Sequence, residues 1–251
     1  MFNDAKLIVQ YADRLLASLS TGISNFLRKQ RYEIVTHHNP KTKELSITFW
    51  GEFLPITPGI TMLAGSIVQS IRSSYDYAIS EVVNSAKDTD RRIHFPIHKE
   101  IQQLQSSNHL KTLRKQSPAL ASLIIESIKP TKADNFPIWA VNALANTDKH
   151  RNLFLTTNVS GLKIGELRRS DQIVRIENCM IEVSAGDNHP EFILPDIESY
   201  SEPEATFEVR FSEPDLATTD AIQGSDIVKT LHNFANVAAE TISAMERALS
   251  E

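Results

Sequence analysis

The residues best suited to chemistry are four consecutive polar side chains, Asp148, Lys149, His150 and Arg151, which lie between two apolar runs. The stretch contains neither Gly nor Pro, the residues that usually mark a solvated turn. At the end of a helix, its cations are favoured by the helix dipole, which is a purely structural role. A histidine between two cations is expected to have a lowered pKa unless a carboxylate such as Asp148 or Asp76 offsets the repulsion. A neutral imidazole can serve as a general base near neutral pH, so His150 is a candidate catalytic residue.

A second group, Arg72, Asp76 and Tyr77, falls within one predicted helix. Arg72 and Asp76 are four residues apart and therefore share a helical face. Tyr77 stands five residues beyond Arg72, within reach of a long arginine side chain. The pair is either an ordinary intrahelical ion pair, worth roughly 0.2–0.5 kcal/mol, or an arginine held by an acid so that its guanidinium faces a phosphate.

A third group forms a polar stripe on the helix that begins near Pro137. Its members are spaced at i, i+4, i+7 and i+8, and they are Asn142, Asn146, Lys149 and His150. Asparagine in a helix interior costs helix propensity relative to Ala, so we expect these amides to make hydrogen bonds. They either satisfy a buried polar network or line a binding site.

Several other kinds of site are not indicated. The sequence has no Cys pair for zinc, no phosphate-binding GxxxxGK[ST] or GxGxxG loop and no GxSxG nucleophile elbow. His37 and His38 fall on a predicted hairpin, and His94 and His98 flank Pro96, so neither pair has the helical spacing of a metal site. We therefore expect neither a metal ion nor a cofactor. Cys179 falls in an apparent strand and is a poor candidate nucleophile.

Apolar residues recurring at spacings of three and four predict the helices that must position these groups. The long helices are predicted over Asn3–Lys29, Ile60–Lys87 and Asp226–Leu249, and Ser225 or Asp226 is expected to cap the last of them. Shorter helices are predicted over Glu100–Leu104, Pro118–Ile128 and Pro137 to about Lys149. Period-two runs on both sides of the turn NPKT predict a β-hairpin over about 31–51. Further strand-like runs, NLFLTTNV, QIVRIENCMIEVS, EFILP and ATFEVRFSE, fall between about 152 and 220.

These elements predict an α+β fold, in which a four-helix antiparallel bundle buries the apolar stripes and the strands pack beside it. We expect a single domain over 1–251, with the hairpin at about 31–51 and an acidic β-rich segment at about 152–220 as insertions.

Composition is ordinary for a globular protein, with 41% apolar and 23% charged residues. The single cysteine excludes an intramolecular disulfide and fits a reducing cytoplasm. Charges among the first residues do not fit a signal peptide, and no uncharged apolar run is long enough to span a membrane. The sequence therefore predicts a cytoplasmic protein without a membrane association.

The net charge is −5, and the charged residues are unevenly distributed along the chain. Residues 181–226 contain twelve acidic residues and one arginine, a charge of −11, which leaves +6 for the rest of the chain. The acidic segment is either a solvated face of the β-rich region or a contact surface for a basic protein partner.

Three stretches together resemble a group of poorly characterised bacterial proteins with HEPN-like helical bundles. The stretches are AGSIVQSIRSSYDYAI, IHFPI and LANTDKHR, which match the group's patterns GD-x-x-HNLRSALDHL, FPI and Leu-Asn-x-x-DKHR. The resemblance covers Ala64–Arg151, and DKHR is its most specific part. At the start of the pattern, Ser66, Gln69 and Ser70 replace the group's Asp, His and Asn.

The resemblance implies metal-independent RNA cleavage. In catalytic HEPN domains, an Arg followed four to six residues later by a His cleaves RNA, usually across a dimer. The His acts on the ribose 2′-hydroxyl and the Arg steadies the phosphate. Arg72 matches that Arg and Asp76 the polar residue inside the motif, but Tyr77 stands where the His would be. A tyrosine with an ordinary pKa of about 10 is a poor base at neutral pH.

Two hypotheses follow. In the first, the protein acts on RNA or nucleotides as a metal-independent endoribonuclease, with Arg72 and His150 as the catalytic pair and His150 supplying the missing base. In the second, the bundle is catalytically inactive and serves as a homodimerisation or protein-interaction module. Arg72, Asp76, Asp148 and His150 then form a buried scaffold.

Overall fold

The structure is a computed structural model that describes residues 2–52, 54–84, 93–150, 155–170, 172–181, 191–211, 222 and 224–250. The chain divides into two compact units. The helical unit comprises Met1–Ser20, Gly59–Phe154 and Glu213–Glu251, and the sheet unit comprises Thr21–Pro58 and Leu155–Ser212.

The helical unit is built from helices, several of which begin at a proline or after a capping side chain. They are α1 (Asn3–Leu27, which continues into the sheet unit), α2 (Pro58–Asn84), α3 (Ile101–Ser106), α4 (Asn108–Gln116), α5 (Pro118–Leu123), a π-helical turn (Ile124–Ile128), α6 (Phe136–His150) and α7 (Ile227–Ala248). Pro58 and Pro118 open their helices, where the missing N–H costs nothing. Ser107 and Ser117 accept hydrogen bonds from the first turns of α4 and α5.

Helix α2 supplies much of the core of the helical unit. Its fully buried stripe consists of Ala64, Ile67, Val68, Ile71, Tyr75, Ala78 and Ile79. The Tyr75 ring packs against Phe95, with 5.0 Å between ring centroids. Burial raises the pKa of the Tyr75 hydroxyl, which therefore stays neutral. Helix α7 contacts α5 and α6 through its own apolar stripe, which includes Leu231, Phe234 and Ile242.

The sheet unit contains two antiparallel sheets. The first has the order β1-β2-β5, with β1 at Arg31–Asn39, β2 at Glu44–Glu52 and β5 at Glu191–Leu194. In the second, β3 (Leu155–Arg168) pairs with β4 (Ile173–Ile181) along one edge and with β6 (Ser199–Tyr200) and β7 (Pro203–Phe211) along the other. Alternate apolar residues of β2 and β3 form a shared core, to which Leu45, Ile47, Phe49, Leu162, Ile164, Leu167 and Ile197 belong.

The predicted four-helix bundle is wrong, whereas the α+β class is right. Within the described ranges the chain forms seven α-helices and two antiparallel sheets with seven strands in total. The bundle prediction fails because α4, which the sequence did not predict, adds to the short helices between α2 and α6, and because the strands bury a core of their own. The predicted hairpin is confirmed by β1 and β2. The single domain over 1–251 stays a prediction.

None of the helices in the described part of the chain combines the length and apolar character needed to cross a bilayer.

The N-cap of α7 provides a direct test of this local structure. The Asp226 side chain accepts a 2.7 Å hydrogen bond from the backbone N–H of Lys229, as the sequence predicted for one of its two candidate caps. We expect Asp226→Ala to lower the free energy of unfolding by about 1 kcal/mol. Asp226→Asn, which keeps an accepting oxygen, should cost much less. Urea unfolding followed by circular dichroism measures both, and equal losses would contradict the capping role.

Candidate functional site

The Asp76 carboxylate of α2 is the centre of a polar cluster in the helical unit. Its Oδ1 accepts hydrogen bonds from Arg72 Nη1 at 2.5 Å and from the backbone N–H of Phe95 at 2.8 Å. Its Oδ2 lies 3.0 Å from His94 Nδ1. The Asp76 side chain therefore connects Arg72, its neighbour on α2, to the segment that contains His94, about 18 residues further along the chain.

Arg72 connects α2 to α6. Its Nε donates a 2.8 Å hydrogen bond to Oδ1 of Asn142, while Nη1 binds Asp76. The arginine side chain is only 14% exposed, so the two acceptors offset most of the cost of removing its charge from water. Nη2 has no hydrogen-bond partner among the described residues, which leaves one edge of the guanidinium for another anion.

His94 is held in one ring orientation although its side chain is 54% exposed. An ionised carboxylate only accepts hydrogen bonds, so the proton of a neutral His94 lies on Nδ1, facing Asp76. Nε2 then keeps its lone pair, which makes it the basic atom of this ring. An Asp–His pair of this kind is a common way to orient a general base.

His109 of α4 stands next to His94. Its Nδ1 accepts a long hydrogen bond, 3.4 Å, from the backbone N–H of His94, and the two rings meet edge-on with centroids 5.7 Å apart. Burial lowers the pKa of His109, and the nearby His94 and Arg72 lower it further against the opposing effect of Asp76. His109 is therefore neutral near pH 7 and presents an Nε2–H donor.

His98 also belongs to this group of histidines. Its pKa is lowered by burial and by the neighbouring His109. Within the described ranges, however, no three His, Cys, Asp or Glu side chains are grouped closely enough to hold a metal ion.

Asp148, the first residue of DKHR, lies against Gly65 of α2. A Cβ built on Gly65 would meet the Asp148 carboxyl group, with Cγ at 2.8 Å and Oδ2 at 2.9 Å. Beside it, Gln69 Nε2 donates to the Ala145 carbonyl at 2.7 Å and to Asp148 Oδ2 at 3.4 Å. Asp148 therefore fastens the end of α6 to α2, at a position where only glycine leaves room for it.

The structure thus brings together only some of the predicted site residues. Arg72, Asp76 and Asn142 form one connected cluster, and Asp148 belongs to the adjoining contact between α6 and α2. Tyr77 and Asn146 are exposed and take no part. Tyr77 is five residues after Arg72, and this spacing turns its side chain well away from the helical face that carries Arg72. The side chains of Lys149 and His150 and the whole of Arg151 lie outside the described residues, so the pairing of His150 with Arg72 stays a prediction.

Sequence reasoning missed the contribution of His94 and His109. The spacing of His94 and His98 around Pro96 argues only against a metal site, yet His94 is the second residue of IHFPI, the stretch that carries part of the family resemblance. The sequence contains no comparable signal for the other two contacts. The Phe95 N–H reaches Asp76, and His109 reaches His94, only because the tertiary fold brings them together.

Comparison with protein-family models, with curated protein sequences and with solved structures finds no significant match. The resemblance to HEPN-like proteins therefore rests on the three motifs alone.

The contact between Asp148 and Gly65 predicts opposite outcomes for two glycine substitutions. Gly22, within α1, has nothing within 4 Å of an added Cβ, so Gly22→Ala should raise the free energy of unfolding by about 0.5–1 kcal/mol. Gly65→Ala should lower it by about 1–3 kcal/mol, because the added methyl group displaces the carboxyl group.

A double-substitution cycle separates this contact from general crowding. In an Asp148→Ala background, Gly65→Ala should become neutral or stabilising, as Gly22→Ala is. Urea unfolding of the four proteins measures the coupling. Equal effects of Gly65→Ala in both backgrounds would show that the contact with Asp148 does not cause the destabilisation.

Proposed function

We propose that the protein acts on RNA as a metal-independent endoribonuclease of HEPN-like type, in which His94 supplies the imidazole that is missing at the position of Tyr77. One observation supports this assignment: the Asp76 carboxylate binds Arg72 and the half-exposed His94 at the same time. An arginine and an oriented imidazole beside each other are the two groups that metal-free cleavage of a ribose phosphodiester requires.

The proposed reaction uses Nε2 of His94, the Arg72 guanidinium and Nε2 of His109. The proton of a ribose 2′-hydroxyl passes to His94 Nε2 as the 2′ oxygen bonds to phosphorus. The bond from phosphorus to the 5′ oxygen breaks, and that oxygen takes a proton from water. Charge that develops on the phosphate is stabilised by Arg72 and by the Nε2–H of His109. The products are a 2′,3′-cyclic phosphate and a free 5′-hydroxyl.

Asp76 has a positioning role in this scheme. It fixes the tautomer of His94 and keeps the Arg72 guanidinium beside it, and it does not itself exchange a proton with substrate. Asn142 supports Arg72 from α6. His150 stays an alternative source of the base, because it is the last residue of the helix that carries Asn142.

A non-catalytic module is the second candidate function. It is favoured by the low exposure of Arg72 and by the use of one Asp76 oxygen to bind the Phe95 backbone, both typical of a structural network. In this case the protein is an interaction module that forms a homodimer or binds a basic protein through the acidic segment 181–226. For either function we propose a cytoplasmic location, which the single cysteine supports.

An RNA cleavage assay distinguishes the two candidates. Single-stranded RNA and total tRNA are incubated with the protein in the presence of EDTA, and the ends of the products are mapped. We expect wild type to cleave and to leave cyclic phosphate ends. His94→Ala should lower the rate roughly 10²–10⁴-fold, and Arg72→Lys should lower it strongly while keeping the charge.

Two controls make the result specific. His37→Ala removes an exposed histidine of β1 in the sheet unit and should leave the rate unchanged. His150→Ala tests the alternative base. Each variant is first shown to be folded by circular dichroism. An unchanged rate in His94→Ala together with a lost rate in His150→Ala would move the base to DKHR, and a wild type that cleaves neither RNA would favour the interaction module.

A further inference from the structure

Strand β3 of the sheet unit contains a β-bulge. The cross-strand pairs on either side of it are Ile164 with Ile176 and Leu167 with Val174. Between these pairs, two residues of β3, Gly165 and Glu166, face the single residue Arg175 of β4. Such a bulge bends the strand and redirects its side chains, and bulges are common beside binding sites.

The bulge is fixed in place by the segment that follows β6. Ser201 Oγ accepts a 2.8 Å hydrogen bond from the backbone N–H of Glu166, and the Ser201 N–H donates to the Glu166 carbonyl at 2.9 Å. A Cβ on Gly165 would lie 3.0 Å from Ser201 Oγ, closer than ordinary contacts. The glycine therefore permits a close approach that holds the bulged strand.

A cavity of about 530 Å³ opens at this bulge. Its size falls within the range of small-molecule sites, roughly 300–1,000 Å³. Arg168 and Arg175 line it together with Glu166, so the two arginines give the lining a positive charge. A concave site with an excess of positive charge favours an anion.

The two arginines are available to a ligand. The Arg168 side chain is exposed and has no hydrogen-bond or ion-pair partner among the described residues. Arg175 faces Glu166 at 3.6 Å, and both of these side chains are about two-thirds exposed. Exposed pairs at this distance contribute little to stability, so an incoming phosphate can replace the carboxylate.

The rest of the cavity wall contains an aromatic ring and an aliphatic side chain beside Ser199 and Ser201. The Tyr200 hydroxyl donates a 2.9 Å hydrogen bond to Thr36, so its ring stays in place and its polar atom is occupied. Ile173 is 56% exposed and lines the same cavity. An aromatic ring and an exposed aliphatic side chain suit a flat, partly apolar group.

We propose that this cavity binds a small phosphorylated ligand of nucleotide size. Arg168 and Arg175 hold its phosphate, and Tyr200 and Ile173 contact the flat remainder. The guanidinium fork suits a phosphate because it donates parallel hydrogen bonds. The proposal is independent of RNA cleavage, since every residue it uses belongs to the sheet unit.

Calorimetric titration of the full chain tests the proposal. The ligands are inorganic phosphate, the four nucleoside monophosphates and the corresponding nucleosides. At least one monophosphate should bind, its nucleoside should bind at least about tenfold more weakly, and phosphate alone should compete with it. Arg168→Gln and Arg175→Gln should each weaken binding by about tenfold, which is the loss expected for one charge-assisted contact.

Two glutamate variants give a matched pair. Glu166→Gln removes the carboxylate that competes for Arg175, so it should tighten monophosphate binding severalfold. Glu204→Gln removes an exposed carboxylate that lies 3.9 Å from Lys163 and does not line the cavity, so it should have no effect. Circular dichroism checks that all variants are folded.

Three results would overturn the proposal. One is the absence of binding by phosphate and by all four monophosphates at millimolar concentration. Another is monophosphate binding that is unchanged when both arginines are replaced. The third is arginine-dependent binding of a single-stranded RNA without binding of any monophosphate, which would assign the cavity to a nucleic acid.

Discussion

The placement of one partly buried carboxylate, that of Asp76, determines the arrangement of the helical unit's polar cluster. A charge removed from water must be compensated by hydrogen bonds and by opposite charge. Asp76 meets this requirement with the Arg72 guanidinium, the Phe95 amide and the His94 ring. Because these donors come from α2 and from the segment before α3, the carboxylate fixes that segment on the helix and orients the histidine at the same time.

Arg72 extends the same constraint to α6. Its Nε binds Asn142, and about two turns before Arg72 on α2 the contact of Gly65 with Asp148 holds the end of α6. The aspartate of DKHR therefore has a structural role, because it packs where α2 has no side chain. The histidine of that motif keeps its proposed role as an alternative base. Each charged member of the cluster has a partner, while His94 Nε2 and Arg72 Nη2 have none among the described residues. These are the atoms that the proposed reaction uses.

The sequence predicted the elements that depend on local pattern. Helical spacing placed α1, α2, α6 and α7 to within a few residues, and alternation placed the β1–β2 hairpin. The spacing of Arg72 and Asp76 likewise predicted their contact, since residues four apart on a helix must be neighbours. The structure adds that Asn142 is the amide that Arg72 uses.

Tertiary contacts could not be predicted in the same way. Nothing in the local sequence shows that the Phe95 amide and His94 reach Asp76, or that His109 comes next to His94. The pairing of β2 with β5, which lies about 145 residues further along the chain, and the bulge at Gly165 depend on long-range register. The bundle prediction failed for the same reason, because strands treated as insertions form a core only after they find one another.

The orientation of His94 tests the central claim most directly. Long-range ¹H–¹⁵N correlation spectra of the neutral imidazole distinguish a proton on Nδ1 from one on Nε2, and His94→Gln assigns the signals. We expect the Nδ1–H form in wild type and a mixture of both forms in Asp76→Asn, whose amide no longer selects one. A wild-type His94 that carries its proton on Nε2, or one that the Asp76 substitution leaves unchanged, would contradict the claim that Asp76 orients this ring.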